Sequence, residues 1–274
     1  MSPLLNHKVA IITGAGRGIG RATAELFAEE GCSILVTDID ESYVHNTATA
    51  INTSGGTAYS LSGDVTDPSF AERLMQAAQQ RFGSLDILVN NAGFTWDGTL
   101  HKMTDPQWQT IVDTHLTAPF RIIRAAAPLL RQTAKREISE CGTTSARKVI
   151  NISSISGTRG NFGQSNYAAA KAGIVGLTKT LAKEWGPFNI QVNCVAFGFI
   201  DTRLTRGKEE GERVERGNTE IELGIPSGLR ETSLSLIPMG RPGTTREAAG
   251  AILFLASALS DYVSGQVLEV TGGL

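Results

Sequence analysis

The apolar run from Lys8 to Thr13 ends in Gly14-Ala15-Gly16-Arg17-Gly18-Ile19-Gly20 and passes at once into a helical pattern that reaches Glu30. A strand that stops on glycines and turns directly into a helix aims free backbone N–H groups and the positive end of the helix dipole at the strand's end, where an anion such as phosphate is held. The alternation then continues. Ser33 to Asp38 is β-like, a helix centres on Tyr43 to Ile51, a further strand ends at Asp64, a helix covers Pro68 to Phe82, and Leu85 to Asn90 is apolar again. Val149 to Ser153, Gln191 to Ala196 and Gln266 to Val270 read as later strands, with a long helix over Asn166 to Trp185. Strands that alternate with helices predict βαβ units and an α/β fold, in which helices cover both faces of a parallel sheet.

The 274 residues fit one domain, and no Pro/Ser/Gly-rich linker or internal repeat marks a second. Two segments read as additions to it. Residues 132–147 are polar and poorly periodic, as in a surface extension, and residues 203–236 form a long charged stretch with an apolar portion at Ile221 to Leu229, as in a substrate lid. A formal net charge of -2 gives no basis for nucleic-acid binding. Cys32, Cys141 and Cys194 lack disulfide or zinc spacing and are expected as reduced, buried thiols, and His7, His45 and His101 as surface residues. Met1 to Lys8 contains no apolar stretch of signal length and no run elsewhere would span a bilayer, so a cytoplasmic protein is expected, with no metal and no membrane contact.

The glycines at 14, 16, 18 and 20 match neither G-x-G-x-x-G, which fails at Ile19, nor the nucleoside-triphosphate loop G-x-x-x-x-G-K-[ST]. Asp38, at the end of the second strand, lies where a carboxylate accepts hydrogen bonds from an adenosine ribose and repels a 2′-phosphate. This favours NAD(H); Arg17, which would attract a phosphate, leaves NADP(H) open.

Tyr167 and Lys171 stand four apart in Tyr-Ala-Ala-Ala-Lys, which puts both on one helix face with small residues between them. A tyrosine working as an acid or base near neutral pH needs its pKa drawn down about three units, or about 4 kcal/mol, which a nearby ammonium would help supply. Ser154, at the end of the strand Val149 to Ser153, is placed to hydrogen-bond a substrate oxygen while Tyr167 exchanges its proton.

With these residues in place the chain resembles the short-chain dehydrogenase/reductase family: Thr-Gly-x-x-x-Gly-x-Gly at 13–20, Asn90-Asn91-Ala92-Gly93, Ser154 and Tyr167-x-x-x-Lys171. The resemblance covers nearly the whole chain and implies a single Rossmann-like, doubly wound domain with a seven-stranded parallel sheet. It also implies a cofactor site built from Gly14, Arg17, Gly18, Ile19, Gly20, Asp38, Asp64, Val65, Asn90, Asn91, Ala92, Gly93, Tyr167 and Lys171. Asp64 and Val65 would lie beside the adenine, Asn90 beside a ribose, and Ile200 and Thr202, in the segment that starts at Gly198, would hold the carboxamide. Within the family the look is to 3-oxoacyl-[acyl-carrier-protein] reductases, through Asn151-Ile152-Ser153-Ser154, the stretch from Gly163 to Gly173, and Ile237-Pro238-Met239-Gly240-Arg241. That likeness implies a homotetramer and an acyl-carrier-protein partner met by Arg121, Arg124, Arg131, Lys135, Arg136, Arg147 and Lys148.

Two positions depart from the family pattern. His115 stands where an Asn usually helps to hold the lysine, and an imidazole there is a candidate proton-relay group. Phe197-Gly198 replaces Pro-Gly, which puts a ring near the nicotinamide end. Three functions stay open: reduction of a 3-oxoacyl thioester, oxidation of a secondary alcohol or hydroxysteroid with NAD, and NAD(H) sensing without turnover.

Overall fold

A computed structural model of the chain describes residues 3–216 and 219–274; Met1, Ser2 and positions 217 and 218 of the expected lid lie outside the described residues. Strands β1 (Val9–Thr13), β2 (Ser33–Asp38), β3 (Thr57–Ser62) and β4 (Ile87–Asn90) alternate with helices α1 (Gly18–Glu29), α2 (Glu41–Thr53) and α3 (Phe70–Phe82). After β4 comes a helical rod of α4 (Asp105–Val112), α5 (Ala118–Ala127) and α6 (Thr133–Cys141), joined through wider π-helical turns at Asp113–Thr117 and Pro128–Gln132. Then follow β5 (Arg147–Ser154), the short α7 (Ile155–Arg159), α8 (Ser165–Trp185) and β6 (Ile190–Phe197). The chain ends with an antiparallel pair, β7 (Arg213–Arg216) and β8 (Thr219–Glu222), and with α9 (Ser227–Ser235), α10 (Thr245–Ala256) and β9 (Val267–Val270).

The main sheet has seven strands in the order β3-β2-β1-β4-β5-β6-β9, all parallel, as the α/β reading predicts. Because the strands alternate their side chains, the sheet feeds two cores. Ala10, Ile12, Ile34, Val36, Val89 and Ile152 pack with residues of α1, α2 and α10 on one face. Ile11, Leu35, Leu88, Val149 and Val192 pack with α3, α5 and α8 on the other. Burying both faces explains why these strands read as near-continuous apolar runs. Strand order reverses at β1, whose neighbours are β2 and β4, and the crevice at such a reversal is where α/β sheets bind ligands.

The segment 132–147 is less of a loop than its polarity predicts: most of it is α6, which ends at Gly142 in the left-handed conformation (φ 74°). Its polarity reflects a helix with one buried residue, Ala134. Arg147 and Lys148, assigned from sequence to a carrier-facing surface, are instead buried at the start of β5. Arg147 pairs with Glu137 at 2.6 Å and Lys148 with Asp261 at 2.7 Å, which neutralises charges that the sheet takes out of water. The Arg147 guanidinium holds the Glu137 carboxyl at about 2, well below the usual range. Cys32 and Cys194 are buried as expected, whereas Cys141, at the end of α6, is exposed. His7, His45 and His101 are exposed, and no cluster with metal-ligand character occurs among the described residues. No described helix is long and apolar enough to cross a membrane.

The turn between β1 and α1 is tied down from β4. Asn91 donates its side-chain amide to the carbonyls of Thr13 (2.9 Å) and Gly14 (3.1 Å), and the Thr13 hydroxyl accepts from the N–H groups of Asn91 and Ala92, both at 3.0 Å. Gly14 has φ 65°, and a Cβ on Gly20 would lie 2.1 Å from the Gly14 carbonyl oxygen. Gly20→Ala is therefore expected to destabilise the fold by about 1–3 kcal/mol as an overpacking substitution, read as a lowered thermal midpoint with an unchanged far-ultraviolet spectrum.

Candidate active site

Every strand of the main sheet delivers its C-terminal end to one edge. There β1 gives way to Gly14, β2 ends on Asp38, β3 is followed by Gly63, Asp64 and Val65, β4 by Asn91, Ala92 and Gly93, and β5 ends on Ser154. A cleft of about 690 Å³ runs along this edge, lined by Gly14, Arg17, Gly18, Ile19, Asp38, Asp64, Val65, Asn91, Ala92, Gly93 and Thr202 among the residues expected from sequence. Tyr43, Arg21, Arg203, Leu204, Arg206, Thr244 and Thr245 line it as well, and sequence reasoning missed them. Thr244 carried a legible signal: it caps α10 in a Thr-x-x-Glu box with Glu247, a helix start that lies beside the cleft.

Six expected cofactor residues sit outside that lining: Tyr167 and Lys171, on α8, and four others. Gly20 is buried in the first turn of α1. Gly198 packs on Thr271, whose Cα would be 3.0 Å from an added Cβ, and Ile200 is buried in the core. The Asn90 amide points to the α8 side of the sheet, donating to Asn151 Oδ1 at 2.9 Å, while Asn151 donates to the Thr178 hydroxyl at 2.9 Å. Asn90 Oδ1 is buried with no hydrogen-bond partner among the described residues.

Asp38 is fixed before any ligand arrives: Oδ2 accepts from Gly16 N at 3.0 Å and Oδ1 from Asp40 N at 3.3 Å. A carboxylate has about four acceptor positions, so capacity for two ribose hydroxyls remains. Beside it the Arg17 guanidinium lies 3.5 Å from the centre of the Tyr43 ring and 3.5 Å from Asp40 Oδ2. Asp40 and the aromatic ring thus occupy the Arg17 guanidinium. A dinucleotide fits these residues: glycines with no side chain at the turn, the N-terminus of α1 with no side-chain cap, and an anchored carboxylate at the far end.

The second half of the site is built on β5 and α8. Ser154 caps the short helix α7, its hydroxyl accepting from Ser156 N at 3.1 Å, and this leaves its proton free to donate. Tyr167 and Lys171 lie one turn apart on α8, with the ammonium 5.6 Å from the ring centre. Lys171 is buried and its Nζ donates to the Ile152 carbonyl at 2.6 Å, while the Ser153 hydroxyl donates to the Lys171 carbonyl at 2.8 Å. These bonds lock α8 to β5 and bring residues 13 or more apart in sequence into one cluster. Burial draws the Lys171 ammonium down to about 8. Burial also pushes Tyr167 up to about 12, against the pull of the Ser154 hydroxyl bonded to it and with Asp97 adding to the rise. The expected lowering of Tyr167 is thus absent from the chain by itself, because desolvation disfavours phenolate more than the Ser154 hydrogen bond favours it.

His115 sits on the π-helical turn after α4, buried, with Nε2 2.7 Å from the Phe94 carbonyl oxygen and its ring edge-on to Tyr167 at 5.0 Å between centroids. Gly93 makes room for it, since a Cβ there would lie 2.1 Å from the imidazole Cε1. Phe197 does not reach the cleft as its position after β6 predicts; the strand continues through it, and its ring is buried in the sheet core. Over the catalytic side, β7 and β8 bury Val214, Ile221 and Leu223 in a cluster with Phe94 and Ile111, against which Trp96, Tyr167 and Leu204 pack.

The family model described as enoyl-(acyl carrier protein) reductase matches residues 14–274. A 3-oxoacyl-[acyl-carrier-protein] reductase of Chlamydia muridarum is 38% identical over 275 residues, spanning all of both chains. The proteins of that name from Vibrio cholerae and Escherichia coli are 38% identical over 270 residues (98% of each chain) and 40% identical over 268 residues (97% of each). With a glycine turn beside an anchored aspartate, a serine, tyrosine and lysine gathered where α8 packs on the end of β5, and relatives matched end to end, the chain belongs to the short-chain dehydrogenase/reductase family.

Proposed function

We propose that this oxidoreductase reduces a 3-oxoacyl thioester with NADH, using Tyr167 as the proton donor. The observation that carries the reading is the hydrogen-bonded Ser154–Tyr167 pair with Lys171 beside it, on the same C-terminal edge of the sheet as the cleft lined by Asp38. The names of the relatives favour the thioester among carbonyl substrates.

The dinucleotide, when bound, supplies the hydride. Gly14, Gly18 and Ile19 would hold its phosphates, with Arg203 and Arg206 also lining the cleft, and Asp38 its adenosine ribose. The Ser154 and Tyr167 hydroxyls hold the substrate's carbonyl oxygen between them, which polarises the carbon for attack. Tyr167 then releases its proton to that oxygen, and the phenolate left behind is stabilised by the Lys171 ammonium. Lys171 spends one N–H on Ile152 and keeps two for the cofactor and the tyrosine. His115, tied to the Phe94 carbonyl and edge-on to Tyr167, acts as a positioning residue for the phenol ring.

An acyl-carrier-protein partner would meet Arg121, Arg124, Arg131, Lys135 and Arg136 on the helical rod. Several of these already have partners: Arg121 donates to the Thr66 carbonyl, Arg124 lies over Phe120 and Arg131 over Phe188. A homotetramer belongs to this reading, supported by Trp108 and Phe120, which the rod exposes. Oxidation of a secondary alcohol with NAD is the second reading, favoured by the anchored Asp38.

Tyr167→Phe should lower kcat by 100-fold or more while NADH still binds, measured by loss of NADH absorbance with an acetoacetyl thioester and by fluorescence titration. An unchanged kcat would overturn the mechanism, and turnover of secondary alcohols but not of the thioester would favour the second reading. Asp38→Ala should weaken NADH and relax discrimination against NADPH, visible as a smaller ratio of the two kcat/KM values. In the reducing direction kcat/KM should fall above about pH 8, because Lys171 carries its proton below that value and loses it above, while Tyr167 is still protonated there. A flat profile from pH 7 to 9.5 would remove Lys171 from that role.

A further inference from the structure

Near Tyr167 stands a carboxylate that the reduction mechanism does not use. Asp97 lies on the loop between β4 and α4 and is exposed, yet it is held rigidly. Gln164 Nε2 donates to both of its oxygens, at 3.2 and 3.0 Å. Gln164 is itself buried, its Oε1 accepting from the Ser156 hydroxyl at 2.9 Å and from Asn161 Nδ2 at 3.0 Å. The backbone beneath is pinned as well: Gly98 N donates to the Gly163 carbonyl at 2.8 Å, and Gln107 donates to the carbonyls of Trp96 and Asp97. Two neighbours fix its place relative to the chemistry, since Trp96 packs in one cluster with Tyr167 and Gln164 precedes Tyr167 by one helical turn. The carboxylate acts on Tyr167 through space.

This charge is not neutralised. Among the described residues no cation forms an ion pair with Asp97, and Lys208, whose charge reaches it from the lid segment, is 3.9 Å from Glu222 Oε2. Desolvation by the surrounding protein raises the Asp97 carboxyl above its ordinary value, against the Gln164 hydrogen bonds. A salt bridge would explain Asp97 as a brace for the fold; a rigid, unpaired and accessible carboxylate beside the proton donor instead offers itself to a ligand.

We propose that Asp97 is a specificity-determining residue that accepts a hydrogen bond from an N–H or O–H donor on the substrate and repels substrates carrying a carboxylate near the reacting carbonyl. The inference rests on the carbonyl-reductase reading and narrows it: a 3-oxoacyl group on a neutral amide-bearing arm is accepted, and the free 3-oxo acid is rejected. A site that offers a fixed acceptor discriminates strongly against a ligand that brings a second acceptor to it, because neither charge is then satisfied.

The test compares three compounds with the same reacting ketone: the N-acetylcysteamine thioester of acetoacetate, neutral with an amide N–H; methyl acetoacetate, neutral with no donor; and acetoacetate, an anion. With the wild type, kcat/KM should rank them in that order. Asp97→Asn keeps an amide oxygen for Gln164 and should raise kcat/KM for acetoacetate about tenfold, as expected for removing a unit charge a few ångströms away in a partly screened site. It should raise the KM of the thioester and leave the Kd of NADH unchanged, with these changes read relative to methyl acetoacetate, which carries neither charge nor donor and reports any common effect through Tyr167. A brace without a specificity role would move all three compounds together, and that result overturns the inference. So does a wild type that reduces acetoacetate as well as the thioester, a result that needs no variant. If the wild type turns over none of the three, the reductase reading fails and takes this inference with it; turnover with identical selectivity in the two proteins overturns this inference alone.

Discussion

The structure hangs on one close approach: the first helix begins so near the end of the first strand that no side chain fits between Gly20 and the Gly14 carbonyl. Gly14 adopts a left-handed conformation to make the turn, and Asn91 and Thr13 clamp it to the next strand of the sheet. With the turn pinned there, the free N–H groups of α1 face the crevice where strand order reverses, and Gly16 N is free to hold the Asp38 carboxylate. One packing constraint therefore places the uncapped start of α1, the Asp38 carboxylate and the floor of the cleft together.

The catalytic half depends on a different economy. Lys171 is buried beneath Tyr167, and its ammonium is retained because the Ile152 carbonyl accepts from it at 2.6 Å. Desolvation nonetheless moves both groups toward their neutral forms, Tyr167 upward and Lys171 downward. In the chain alone the tyrosine holds its proton, the state that the proposed reduction requires. The apolar side of the β7–β8 pair, packed on Tyr167, keeps water from competing for the same hydrogen bonds.

Much of this was legible in the residues. The period of the apolar runs carried the parallel sheet, because strands buried on both faces have little room for polar side chains. Tyr167 and Lys171 were legible as a pair because helical geometry alone puts them on one face. Other readings went astray where local sequence is silent about direction. Arg147 and Lys148 look like surface cations until Glu137 and Asp261 are brought against them from α6 and from the segment after α10. Phe197 looks like a cleft residue until β6 is seen to extend through it into the core.

By itself, then, the sequence determined the class of fold, the strand-to-helix turn with its glycines, and the placing of Ser154 at a strand end and of Tyr167 and Lys171 on one helix face, since each follows from spacing along a strand or a helix. Only the tertiary structure decided that Asn90 faces Asn151, that Arg203 and Arg206 line the cleft, that the β7–β8 pair covers Tyr167, and that Asp97 stands beside it on a platform made by Gln164. These depend on contacts between segments far apart in the chain, where hydrogen bonding and exclusion of water, rather than local periodicity, set the direction of each side chain.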